Sequence, residues 1–211
     1  MHEVRQYRQR ARAEAVEAVR RRIIEAFFEL GRAKWFDEIT LAEVARSAGA
    51  SVRTVIRQFG GKEGLVAGVL EYLTPEVLAE RTVSPGDIDG AIGRLLDHYE
   101  SQGDITLRFL AQEQRYPILS PTLEAGRRGH RDVAATNFAP WLDQLRRSER
   151  ERALDALVIA MDLYTWKLLR RDMGRSAKQT RLMMRALVEA ALARFTAALS
   201  QTPAGGGFDD S

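Results

Sequence analysis

Residues 40–65, T-L-A-E-V-A-R-S-A-G-A-S-V-R-T-V-I-R-Q-F-G-G-K-E-G-L, constrain the fold of this chain more than any other stretch, because they encode two short helices around one glycine. Thr40 with Glu43 three residues on is a capping box, in which hydroxyl and carboxylate satisfy the orphan amides at a helix start. A helix therefore begins at Leu41. Leu41, Val44, Ala45 and Ala48 recur at helical spacing until Gly49 supplies the left-handed residue that ends it. Ser51 is a second N-cap, so a new helix starts near Val52 and runs to Phe59, with Val55 and Phe59 on one face and Arg53, Arg57 and Gln58 largely on others. Gly60 and Gly61 stop it. Two helices joined by a short turn containing Gly read either as an ordinary helical hairpin in a core or as the helix-turn-helix pattern, whose second helix enters the DNA major groove.

From Ala48 the string A-G-A-S-V-R-T-V-I-R-Q-F-G-G-K-E-G-L resembles the signature of TetR-type regulators, approximately A-G-V-S-x-x-T-L-Y-x-H-F-x-x-K-E-x-L. Ala48, Gly49, Ser51, Thr54, Phe59, Lys62, Glu63 and Leu65 match. Upstream, R-R-I-I-E-A-F-F-E-L looks like the first helix of the same domain, and W-F-D-E-I-T follows where the family carries a Gly-aromatic pair and then Thr. The sharp motifs cover residues 20–70. The resemblance implies an all-α fold of about nine helices, with an N-terminal three-helix helix-turn-helix DNA-binding domain followed by a helical ligand-binding and dimerisation domain. It also implies a homodimeric transcriptional regulator, most often a repressor released from a palindromic double-stranded DNA operator by a small-molecule effector.

In this register Ser51, Val52, Arg53, Thr54, Ile56, Arg57 and Gln58 are the groove-side candidates, and Thr40 and Lys62 are candidates for phosphates. Ile56 stands where the family has Tyr, commonly a phosphate contact, and Gln58 where it often has His. An Ile on the groove face can instead meet a thymine methyl, while Arg can bridge guanine and Gln can pair with adenine. The competing class is a helical module that binds a small molecule or a protein and no longer reads DNA, with Ile56 and Gln58 as signs of lost contacts. Arg53, Arg57 and Lys62 argue against it.

Charge agrees with the first reading. The chain carries a formal net charge of +3, but residues 1–64 hold 13 Lys and Arg against 9 Asp and Glu, so the basic excess lies with the reading head. Of the 211 residues 45% are hydrophobic and 29% charged, a globular composition long enough for a large core. There is no Cys, which excludes a disulfide scaffold, a thiolate metal site and a Cys nucleophile. Asp97, His98 and Glu113 invite acid-base chemistry, yet no nucleophile motif, phosphate-cradling Gly loop or metal-ligand spacing accompanies them, so neither catalysis, cofactor nor metal is expected. No apolar run approaches the ~20 residues of a membrane span and the N-terminus is too rich in Arg and Glu for a signal peptide, so the expectation is a cytoplasmic protein with no membrane partner.

Along the chain, residues 1–18 read as a basic extension, with Arg5, Arg8, Arg10 and Arg12 on good helix composition, and residues 19–73 as the DNA-binding domain plus a linking fourth helix. Residues 74–200 read as the ligand-binding and dimerisation domain and residues 201–211 as a disordered tail. Thr74-Pro75 should end the fourth helix. Beyond it, 87–101, 105–116, 122–145, 148–173 and 176–200 read as helices. Ser148 with Glu151 and Ser176 with Gln179 serve as capping boxes, and Pro140 kinks or ends the middle helix.

The 148–173 helix is apolar nearly all round, so it needs burial on more than one side. Leu154, Leu157, Met161, Tyr164 and Leu168 should pack within the subunit, leaving Ile159, Leu163 and Trp166 for a second copy. The last helix adds Met183, Leu187, Ala190, Ala191, Arg194 and Ala198 to that two-fold interface. For the effector, read as apolar or aromatic, the candidates are His98, Tyr99, Phe109, Glu113, Tyr116, Phe138, Trp141, Asp162 and Trp166, with His130 beside them. The G-R-R-G-H-R-D run at 126–132 reads as a solvated helix face rather than an anion site.

Overall fold

The computed structural model describes the backbone of residues 2–197 and the side chains of residues 7, 9–69, 71 and 77–197; Ala198 and the 201–211 tail lie outside the described residues. These residues form α1 His2–Ala33, α2 Leu41–Ser47, α3 Val52–Phe59, α4 Lys62–Arg81, α5 Ile88–Leu110, α6 Ser120–Asn137, α7 Ala139–Leu142, α8 Arg147–Ala160, α9 Leu163–Lys167 and α10 Ala177–Thr196. Tighter turns lie at Phe36–Glu38 and Pro117–Leu119, and a wider π turn at Leu168–Asp172. The all-α expectation holds. No helix among the described residues is long and apolar enough to cross a membrane. The chain divides into two compact units, one of residues up to Val77 together with Asp104–Arg127, the other of Leu78–Gly103 and the residues from Arg128 on.

In the first unit the basic extension and the first core helix are one element, since α1 is continuous over 32 residues. Its apolar face starts at Ile23, and Ile23, Ile24 and Phe27 are fully buried against Val44, Val55 and Leu65. Each such side chain stabilises the unit by about 1.5–3 kcal/mol, so this cluster is what holds α2 and α3. Phe27 lies between Phe36, met edge-on at 6.4 Å, and Phe109, stacked at 6.4 Å. The Phe36 amide donates to Oε1 of buried Gln112 at 3.0 Å, which ties the Phe36–Glu38 turn to residues 104–127 of the same unit. Phe27, Val66, Val69, Phe109, Leu119, Thr122 and Leu123 surround a cavity of about 30 Å³. The expected stop at Thr74-Pro75 does not occur, and α4 continues to Arg81. A proline forfeits one backbone bond, which does not by itself end a helix.

The second unit departs from expectation at its breaks. Residues 87–101 and 105–116 are not two helices: α5 runs unbroken through Gly103. There a Cβ would lie 2.6 Å from the Trp166 ring, so this glycine admits an indole and does not mark a turn. Between α6 and α7 the chain does break, at Phe138, with Pro140 in the first turn of α7. Buried Asn137 holds the turn after α4: its Oδ1 accepts from Val83, its Nδ2 donates to the Arg81 carbonyl, and its own carbonyl accepts from Gly86. The Ser148 cap is not formed. α8 starts at Arg147, which puts Ser148 inside its first turn, and Glu151 pairs with Arg131 at 2.6 Å. Ser176 and Gln179 do form their capping box.

The expected 148–173 helix is interrupted at Met161. Asp162 caps α9, its carboxylate accepting from the Tyr164 amide at 2.8 Å, and the π turn follows. Each interruption rotates the faces that follow it. Leu163 and Trp166, expected on the second-copy face, are buried within the unit, whereas Tyr164 and Leu168, expected inside, are exposed.

Candidate nucleic-acid interface

Both ends of α3 are closed by local bonds. At the start Ser51 Oγ accepts from the Thr54 amide at 3.1 Å, and the Ser51 and Thr54 hydroxyls share a bond of 2.9 Å. At the end Gly60, at φ 74°, returns its amide to the Ile56 carbonyl at 2.7 Å. Gly49, at φ 62°, sits between α2 and α3 with nothing near its absent Cβ, so conformation alone requires glycine there. Between these stops Val55 and Phe59 are buried, which turns Ser51, Val52, Arg53, Ile56 and Arg57 outward. Thr54 and Gln58 are half-buried. Among the described residues the guanidinium groups of Arg53 and Arg57 make no ion pair or hydrogen bond.

Three other cations of this unit are engaged by its fold. Arg20, from the basic N-terminal run, donates to the Gln58 carbonyl and to Glu71, both at 3.0 Å, and lies 4.6 Å over the Phe59 ring. It thereby anchors the end of α3 to α1 and α4. Lys62 turns inward, donating to the Phe36 carbonyl at 2.7 Å and the Asp37 carbonyl at 3.4 Å, with its ammonium 4.6 Å from the Phe36 ring. Burial pushes this ammonium below the usual lysine range, against the opposing pull of Asp37 and Glu43. Lys34 pairs with Glu43.

Thr40 behaves as the box requires, its hydroxyl accepting from the Glu43 amide at 3.2 Å and donating to the Glu43 carboxylate at 2.9 Å. The Lys34 bond, then the Thr40 amide and hydroxyl, hold the Glu43 carboxyl down to about 2. One cation escaped the sequence reading. Arg46, in the last turn of α2, is exposed and has no side-chain partner among the described residues. Its place off the Leu41, Val44, Ala45 and Ala48 face was the available signal.

Residues 23–69 match the family model of bacterial regulatory proteins of the tetR family. The chain carries a tetR-family DNA-binding domain. It is a DNA-binding regulator. No curated protein matches the chain. Among solved structures it is similar to a tetR-family transcriptional regulator from Streptomyces coelicolor, with 18% identity, a TM-score of 0.67 and coverage of 87% of this chain and 86% of that one. It is also similar to a transcriptional regulator from Rhodococcus sp. Rha1, with 20% identity, a TM-score of 0.62 and coverage of 83% and 96%. At such identities the likeness shows the fold alone, and it extends well beyond the tetR-type domain.

The effector candidates fall in both units. In the first, Phe109 belongs to the core with Phe27, Glu113 binds Arg127 through two bonds of 2.7 and 3.0 Å, and Tyr116 meets Phe36 at 5.2 Å. In the second, Phe138 and Trp141 pair at 6.0 Å, and Tyr99 lies 5.8 Å from His98 and 5.9 Å from Trp166. Trp166 donates to Glu100 at 3.0 Å, and Asp162 is the cap of α9. Of the expected dimer face, Leu163 is buried within the unit, Ala191 half-buried, and Ile159, Met183, Leu187, Ala190 and Arg194 exposed.

Proposed function

We propose that this tetR-type regulator is a homodimeric, one-component repressor, a binding protein and not a catalyst, that acts in the cytoplasm and leaves a palindromic operator when a small molecule binds its second unit. The observation that carries the DNA reading is the outward row Arg53, Ile56 and Arg57 on a helix capped at both ends, with both guanidinium groups unpaired among the described residues. In the groove Arg53 and Arg57 bridge guanine O6 and N7, Ile56 meets a thymine methyl and Gln58 pairs with adenine. Arg46 and Thr40 lie toward phosphates. Lys62 supports the interface from beneath, since its ammonium serves the Phe36–Glu38 turn.

Selection from random duplexes over a salt series tests this directly: a palindrome and a steep salt slope are expected. Uniform binding to every duplex sinks the base-reading claim. Residues 2–18, the start of α1, add phosphate contacts beside the main one, so their deletion should weaken operator binding and flatten its salt dependence.

For the dimer, the support is an apolar surface within the second unit. Ile159 is 67% exposed, and Tyr164, Leu168, Leu182, Met183 and Leu187 are exposed with it. Side chains of this kind on α8, α9 and α10 suit a two-fold helical interface with a second copy. A monomeric mass in solution at micromolar concentration defeats this part of the reading.

A further inference from the structure

The second unit buries a guanidinium with no carboxylate against it. Arg81, the last residue of α4, is 7% exposed, and among the described residues it forms no ion pair. One terminal nitrogen lies 2.5 Å from Nδ1 of His130, and the group sits 5.9 Å over the Tyr99 ring. Its Nε is buried and has no hydrogen-bond partner. A guanidinium does not give up its proton in a protein. An unpaired buried ion is costly, and a neutral imidazole and an aromatic face compensate it only in part.

Among the described residues no neighbouring group brings a carboxylate into contact with the guanidinium. His130 Nδ1 can accept from Arg81 only if Nε2 carries the ring proton, and Nε2 lies 3.2 Å from the Val158 carbonyl that would take it. His130 is therefore neutral, in keeping with its lowered pKa, caused by burial and then by Arg81. The Tyr99 hydroxyl donates to the Met161 carbonyl at 3.1 Å and stays protonated, its pKa raised by burial. His98, held down to about 4 by burial, then by Arg81 and His130, is neutral as well. Asp162 is the acid of this neighbourhood, and its carboxylate is engaged with the Tyr164 amide. Two of the three arginines of the 126–132 run are spoken for elsewhere, Arg131 by Asp155 and Glu151 and Arg127 by Glu113.

We propose that the Arg81, His130 and Tyr99 cluster is the binding site for a small carboxylic acid, whose carboxylate takes the unpartnered Nε of Arg81 and whose apolar body lies among the aromatic side chains Tyr99 and Trp166. This rests on the effector reading above and gives that effector a chemical class. A single guanidinium charge with no second cation bonded beside it suits a planar monoanion, which its N–H fork can grip, better than a phosphate, which carries more charge to desolvate. Arg81, His130, Tyr99 and Trp166 are all buried, so an acid enters only as the side chains around Arg81 part. Binding is thereby coupled to a repacking of this unit.

The full chain is titrated with benzoate and hexanoate, with benzamide and hexanamide as uncharged counterparts, and with inorganic phosphate, by calorimetry and melting temperature. At least one carboxylate is expected to bind saturably and to raise the melting temperature by about 5 °C at a hundredfold excess over its Kd, its amide doing neither. Arg81→Met should weaken that carboxylate at least about tenfold, with Arg81→Lys between the two. The proposal is overturned if neither carboxylate exceeds its amide, if only phosphate binds, or if Arg81→Met retains full carboxylate affinity. The wild-type comparison of acid with amide decides the matter even where a variant fails to fold. Operator occupancy separates this site from the regulator reading. An acid that binds through Arg81 without changing occupancy upholds the site and removes its effector role. Release by an amide and not by its acid upholds the regulator and overturns the acid site.

Discussion

Arg57 and Arg81 both lack a carboxylate partner among the described residues, but water surrounds the first and protein the second. For Arg57 the missing partner costs little, since a solvated guanidinium is satisfied by water and a surface ion pair contributes about 0–1 kcal/mol. It is available to any phosphate or guanine that approaches, and its selectivity comes from the helix that aims it. For Arg81 the same lack is expensive, and selectivity comes from what can reach it. An unpaired cation therefore points to a ligand in two ways: on a surface through where the scaffold holds it, in an interior through the absence of any alternative.

That contrast depends on the second unit being closely packed around Arg81, and the largest effect tests this. Trp166→Ala should lower unfolding free energy in denaturant by about 3–5 kcal/mol, because a fully buried indole packed on Tyr99 and over Gly103 would leave a cavity. A loss under about 1 kcal/mol would show an interior loose enough for water to serve Arg81. On the surface side, Arg57→Ala should cost about 1–3 kcal/mol at the base it reads and relax preference there. Equal losses on operator and random DNA would reduce Arg57 to a phosphate contact.

Acid sensitivity sharpens the contrast further. His98 is depressed from its ordinary 6.5 to about 4, so the unfolded chain takes its proton first, and stability should fall as pH drops from 6.5 toward 4. The loss is on the order of 2 kcal/mol, and His98→Gln should flatten that part of a melting-temperature profile. Glu43, depressed to about 2, contributes above pH 4.5 and fades on further acidification, so the two windows are separable in one titration. The smallest effect is Thr40→Ala, about 1 kcal/mol of thermal stability from the lost α2 cap. It should leave carboxylate binding in the second unit unchanged.

Most of the reading head was legible because its signals are local. Thr40 with Glu43, Ser51 with Thr54, Gly49 and Gly60 each act within about one helical turn, and each does in the structure what its residue type and spacing dictate. The second unit was less legible because its decisive partners are distant in the chain. Gly103 resembles a helix end until Trp166 is seen against it, and Ser148 resembles a cap although α8 begins before it and its Glu151 pairs with Arg131. The break at Asp162 follows from a single cap, and it turned Leu163 and Trp166 inward and Tyr164 outward from the faces that a continuous helix assigns them. Lys62 has the residue type and position of a phosphate contact, yet its ammonium serves carbonyls of the Phe36–Glu38 turn. Arg81 carries no sequence signal at all, since burial alone distinguishes it from any helix-terminal arginine.

One property of α3 reaches beyond this molecule. The bonds that begin and end it run through Ser51, the Thr54 amide, Gly60 and the Ile56 carbonyl, and those that seat it run through Val55, Phe59 and Arg20. None of them uses the side chains of Arg53, Ile56 or Arg57. Exchanges among helix-forming residues at those three positions therefore cost the fold little, so that, on the proposed reading, new operators can be reached by substitution at the surface of one short helix while the residues that seat it stay as they are.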